Sequence, residues 1–129
     1  MKKALLWVAA ALLLFAGCTP NTTQSGEAVY LNITAREAKQ IMDTQTGYVI
    51  LDTREQYEFD EGHIPGAVLL PYDQVPEKAE SVLPDKDQLI LVYCRSGRRS
   101  KIAAQSLVDL GYTNIKEFGG IIDWPYEVE

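Results

Sequence analysis

Two short runs, residues 48–51 (Tyr-Val-Ile-Leu) and 89–93 (Leu-Ile-Leu-Val-Tyr), are apolar at every position. A strand with one wet face alternates apolar and polar side chains, so a run apolar on both parities belongs to a strand covered on both faces. That is the setting of a central strand in a parallel sheet, whose neighbours must be joined by crossovers, usually helical. The surrounding sequence supplies them. Thr34-Ala35-Arg36-Glu37 fits a capping box ahead of Ala38, Ile41 and Met42 at helical spacing, which predicts a helix over 35–43 that Gly47 releases. Further helical stretches fall near 55–61, 76–82 and 100–110, the last with Ala103, Leu107 and Leu110 on one face and Gly111 as its stop signal. A shorter apolar run at 67–70 reads as another strand, and 29–31 and 114–118 read as edge strands. The expectation is an α/β domain: a five-stranded, mostly parallel sheet with right-handed crossovers and helices on both faces.

That domain is assigned to residues 29–129, behind two segments of different character. Lys2 and Lys3, an apolar run over 4–15, and Ala16-Gly17-Cys18 follow the basic, apolar, small order of a signal peptide, so 1–17 is read as an export leader. As a helix, residues 4–17 would reach about 21 Å at ~1.5 Å per residue, short of the roughly 30 Å of bilayer hydrocarbon. Residues 18–28 are polar, contain Pro20 and Gly26, and read as a flexible tether. The chain of 129 residues has room for one hydrophobic core and carries a formal charge of −6. Losing a leader with two lysines and no acid makes it about two units more negative, which argues against a nucleic-acid partner.

Sites in layered α/β folds lie at the carboxyl ends of strands. Two such ends carry chemistry: Asp52-Thr53-Arg54 after one run, and Cys94-Arg95-Ser96-Gly97-Arg98-Arg99 after the other. Ser100 is read as opening the amphipathic helix, so Cys94 stands where a buried strand turns into a helix start. Unpaired N–H groups of a first helical turn, and the helix macrodipole, favour an anion there, and the thiolate is the nucleophilic form of cysteine. Gly97 supplies freedom for the bend. Arg95, Arg98, Arg99 and Lys101 reverse the sign of an otherwise acidic chain. A buried structural cysteine needs no such company, whereas a site for an oxyanion does.

The loop from Cys94 to Ser100 resembles the active-site loop of single-domain rhodaneses. Three other segments fit the same family in the right order: Asp52-Thr53-Arg54 with Glu55 and Glu58, then Glu61-Gly62-His63-Ile64-Pro65-Gly66-Ala67, then Gly119-Gly120 followed by Trp124. The resemblance implies a rhodanese-like sheet flanked by helices and a ping-pong sulfur transfer with Cys94 as the catalytic nucleophile. It implies donor binding by Arg95, Ser96, Gly97, Arg98, Arg99 and Ser100, with Asp52, Arg54 and His63 as structural support. Asp52 and Arg54 are expected to tie the strand end to the loop, and Trp124 and Tyr126 to form a packing patch. No metal or organic cofactor is implied. The partners are a small anionic sulfur donor such as thiosulfate, a thiol or cyanide acceptor, and a thiol reductant protein.

Cys18 after small residues resembles a bacterial lipoprotein lipobox, with Phe15 where leucine is usual. This implies lipidation at Cys18 and a membrane-anchored domain in the bacterial cell envelope. Only two cysteines are present, so Cys94 is left unpaired unless it meets Cys18 in a disulfide. Two rival functions share these residues. One is a non-enzymatic envelope module that binds sulfur, senses redox state or docks a partner. The other is a phosphatase or arsenate reductase, which resemblance to those enzymes opposes: they place an arginine six positions after the cysteine, where this chain has Ser100.

Overall fold

The structure, a computed structural model, describes residues 29–129, so the expected export leader, the expected tether and Cys18 lie outside the described residues. Five strands, β1 (Leu31–Asn32), β2 (Val49–Asp52), β3 (Val68–Leu69), β4 (Ile90–Cys94) and β5 (Ile115–Gly120), form one sheet in the order β1-β5-β4-β2-β3. Every pairing is parallel. The helices are α1 (Ala35–Thr44), α2 (Gln56–Glu61), α3 (Val75–Val82) and α4 (Arg98–Asp109), with 3₁₀ turns at Tyr72–Gln74 and Ile121–Asp123.

The two apolar runs do form the inner strands. Leu51, Ile90, Val92 and Ile115 point to one face, against Ala79 of α3, Leu83 just after it, and Ala103, Ala104 and Leu107 of α4. Ile50, Leu91, Tyr93 and Phe118 point to the other, against Ala38 and Ile41 of α1 together with Ile64 and Trp124. Trp124 meets Tyr126 edge-on at 4.9 Å, the packing patch expected of them. The capping box at Thr34 and Glu37 is present in both directions.

Two expectations need correction. Residues 115–120 are not an edge: β5 lies between β1 and β4, and it can do so because the carboxylate of Glu117 finds partners on the buried face. Helix α4 starts at Arg98, with Gly97 as its N-cap at φ +108°, so Ser100 lies inside the first turn. No side chain caps that end and no acid stands in its first turn, while Arg98 and Arg99 oppose the macrodipole. The sequence there is arranged for something other than helix stability.

Candidate active site

Strands β2 and β4 are neighbours, with Asp52 opposite Tyr93, so the two chemistry-bearing strand ends sit side by side. Between Val92 and Cys94 the pairing with β5 slips, and Cys94 comes to face Gly120. Cys94 is 1% exposed. The left-handed backbone of Gly97 turns its N–H onto the sulfur, which accepts at 3.0 Å. The thiol lies 3.3 Å from the Ser100 hydroxyl. That hydroxyl lies 2.7 Å from Oε1 of Glu117, which also accepts from the Gly119 amide at 2.8 Å. Beneath the loop, Gly120 leaves no space for a side chain: a Cβ there would come within 1.9 Å of the Arg95 carbonyl oxygen.

Asp52 and Arg54 are both buried and bound to each other, with Arg54 Nε and Nη2 donating to the carboxylate at 3.0 and 2.7 Å. The Tyr93 hydroxyl donates to the same carboxylate at 2.6 Å, and Arg54 Nη2 reaches the Gly62 carbonyl at 2.7 Å. The pair therefore braces the residue before Cys94 and the turn before His63, and makes no hydrogen bond to the loop itself. Burial, reinforced by the bond to Asp52, raises the Tyr93 phenol far from its ordinary range and keeps it a donor. A buried pair of this kind costs ~3–5 kcal/mol when one partner is removed. His63 stacks on Phe59 at 3.7 Å, its Nδ1 lies 2.9 Å from the Phe59 carbonyl, and its Nε2 lies 3.2 Å from Glu129. It makes no hydrogen bond to Cys94.

The loop cations separate into two groups. Arg99 is held by Glu58 in a bidentate pair at 2.6 and 2.7 Å, so its charge is already matched. Arg95 and Arg98 are exposed and make no ion pair among the described residues. The hydrogen bonds from Arg99 hold the Glu58 carboxyl down to about 2, against an ordinary 4.5. A carboxylate depressed on folding contributes stability above its unfolded value and loses it as pH falls through the folded one. Unfolding measurements should thus show Glu58→Gln closing on wild type between pH 4.5 and 2, by on the order of 3 kcal/mol. A constant difference across that window would mean that the pair contributes no pH-dependent stability.

A cleft of roughly 280 Å³ opens beside the loop, lined by Arg54, Tyr57, Glu58, Glu61, Arg95 and the Ile121-Ile122 pair. Another of about 230 Å³ lies around Lys39, Tyr48, Ile64 and Trp124 and carries no loop residue. The position of the thiol, not cavity size, locates the site. Among the described residues no cluster of His, Cys, Asp or Glu has the geometry of a metal site.

The family model described as "Rhodanese-like domain" matches residues 34–125. The chain belongs to the rhodanese family. Among its relatives, the thiosulfate sulfurtransferase PspE of Escherichia coli is 34% identical over 73 residues, 57% of this chain and 70% of that protein. The putative sulfurtransferase YtwF of Bacillus subtilis is 32% identical over 97 residues, covering 75% of this chain and 92% of that one. The solved structure of a rhodanese with anions from E. coli superposes with a TM-score of 0.60 at 30% identity, covering 64% of this chain and 96% of that one. The rhodanese loop here includes contacts that the linear motif does not display. Glu117, the Glu58–Arg99 pairing and the role of Tyr93 were not foreseen. The available signal for Glu117 was parity: Ile115 and Glu117 share the face that packs on α4, so an acid there must be buried.

Proposed function

We propose that this rhodanese is a sulfurtransferase that moves sulfane sulfur from an anionic donor such as thiosulfate to a thiol or cyanide through a persulfide on Cys94. The observation that carries this reading is the sulfur atom itself, at the end of β4, accepting from the Gly97 amide at the uncapped start of α4. Arg95 and Arg98, exposed beside it, draw the donor. The thiolate attacks the outer sulfur, a new S–S bond forms, and sulfite leaves with the electron pair of the bond that breaks. The loop amides then hold the persulfide, whose terminal sulfur is smaller than a tetrahedral oxyanion. An acceptor nucleophile takes that sulfur and Cys94 leaves as thiolate. Arg99 serves this site by fixing α2 against α4 through Glu58, and Ser100 stands where a phosphate-binding loop would need its arginine. The signal-peptide-like order of residues 1–17 and the lipobox-like Cys18 support placing this chemistry at a membrane of the cell envelope, on its exported side.

Because the two substrates never occupy the site together, initial rates of thiocyanate formation against thiosulfate, at several cyanide concentrations, should give parallel double-reciprocal lines. Intersecting lines would point to a ternary complex and count against a free persulfide enzyme.

A further inference from the structure

Three acids are buried in the domain, Asp52, Glu58 and Glu117, and two of them have a full guanidinium partner. Glu117 does not. The Lys101 ammonium lies 3.4 Å from its Oε2, on a half-exposed side chain that donates to the Gly97 carbonyl. The short contacts of Glu117 are the Gly119 amide and the Ser100 hydroxyl, both at Oε1. Ser100 has one proton to give. The Glu117 carboxylate is its nearest acceptor at 2.7 Å, against 3.1 Å for the Gly97 carbonyl and 3.4 Å for that of Gly119. With that proton directed at Glu117, the oxygen of Ser100 is open to the Cys94 thiol, which donates to it at 3.3 Å. The three residues form a continuous chain, and all are sealed, with exposures of 1, 0 and 2%.

We propose that Glu117, acting through Ser100, takes the proton of the Cys94 thiol as the thiolate forms and returns it when the thiol is restored. The S–H bond breaks as its proton passes to Oγ, while the proton of Ser100 passes to Oε1; two O–H bonds form, one S–H and one O–H bond break, and no charge leaves the site. A thiol this deeply buried has little contact with bulk water to receive its proton, and a second anion within about 6 Å of an ionised carboxylate would be disfavoured. Sharing one negative charge between sulfur and carboxylate avoids both costs. Lys101, on α4, faces the carboxylate at 3.4 Å. Cys94 is the one titratable group that β4 turns toward it; β1 presents none, Arg98 and Arg99 lie in the first turn of α4 with Arg99 matched by Glu58, and α1 packs on the opposite face of the sheet. Glu117 is thus a positioning and proton-holding residue, not one that touches the donor. Its place in turnover rests on the sulfur-transfer reading, but the proton exchange rests on this chain of contacts alone.

The test is the rate of Cys94 alkylation by iodoacetamide as a function of pH, read at the Cys94 peptide by mass spectrometry in the full-length protein. No sulfur donor is involved, so the result is independent of whether thiosulfate is a substrate. Wild type should show two inflections, separated by a plateau where internal transfer fixes the thiolate fraction. Glu117→Gln preserves the shape and the hydrogen-bond acceptor but holds no exchangeable carboxyl proton, and it should show one inflection, with the lower step lost. Ser100→Ala should lose the same step if the glutamine variant does not fold. A single inflection in wild type, or two retained in the folded variant, overturns the proposal.

Discussion

Replacing Cys94 by serine should reduce thiocyanate formation from thiosulfate and cyanide by at least ~10³-fold while the protein remains folded. The side chain is buried, and an oxygen is smaller than the sulfur it replaces, so the Gly97 amide and the Ser100 hydroxyl still find a partner in place. Stability should change by no more than about 1 kcal/mol. The chemistry does not survive the change. A neutral hydroxyl is a poor nucleophile, and an alcohol is far less acidic than a thiol, so the Glu117 carboxylate reached through Ser100 does not ionise it. Thermal unfolding run in parallel separates loss of the nucleophile from loss of the fold. Turnover within tenfold of wild type would move the reaction away from this cysteine.

Gly120→Ala should be nearly as damaging for a different reason. The backbone of Gly120 is extended, at φ −127°, so any residue could adopt it. Its constraint is contact: a Cβ would lie 1.9 Å from the carbonyl oxygen of Arg95, 2.3 Å from its carbon and 2.5 Å from the Ser96 nitrogen. All three are backbone atoms of the active-site loop, which has to move by more than ~1 Å for ordinary contact to return. Displacements of that size at a reacting group cost ~10²-fold in rate, and overpacking of this kind costs about 3 kcal/mol. Gly119→Ala is the matched control. At φ +85° it carries the strain of a left-handed residue, about 1–2 kcal/mol, but its Cβ would meet nothing within 4 Å. The two alanines should thus separate, Gly120→Ala losing activity and Gly119→Ala mainly stability. Equal activities would show that the loop tolerates displacement.

How much of this is legible in the chain follows from how local each signal is. The inner strands could be read because coverage on both faces leaves no polar parity in 48–51 or 89–93, and α1 because its capping box is contained in four consecutive residues. The loop was legible for the same reason: cysteine, glycine and cations are contiguous. The start of α4 was misplaced by two residues because Ser100 resembles a cap, whereas its hydroxyl is committed to Cys94 and Glu117 and the cap is Gly97. The edge assignment of 114–118 failed because its acid is satisfied by Ser100 of α4 and by the Gly119 amide of β5 itself, not by solvent. Arg99 stood among the expected donor-binding residues because its partner, Glu58, is 41 positions away. Partners that far apart leave no mark on local sequence. Asp52 reaches Tyr93 over the same separation, and only the register of β2 on β4 brings them together.

Sulfur transfer by this protein stands or falls on whether Cys94 carries sulfur as a persulfide. The measurement that addresses it most directly is the intact mass of the reduced protein after thiosulfate, and again after cyanide, beside Cys94→Ser. Wild type should gain the mass of one sulfur atom and lose it to cyanide, and the serine variant should gain nothing. A folded, reduced wild-type protein that takes up no sulfur from thiosulfate or from a persulfide donor would contradict sulfur transfer through Cys94.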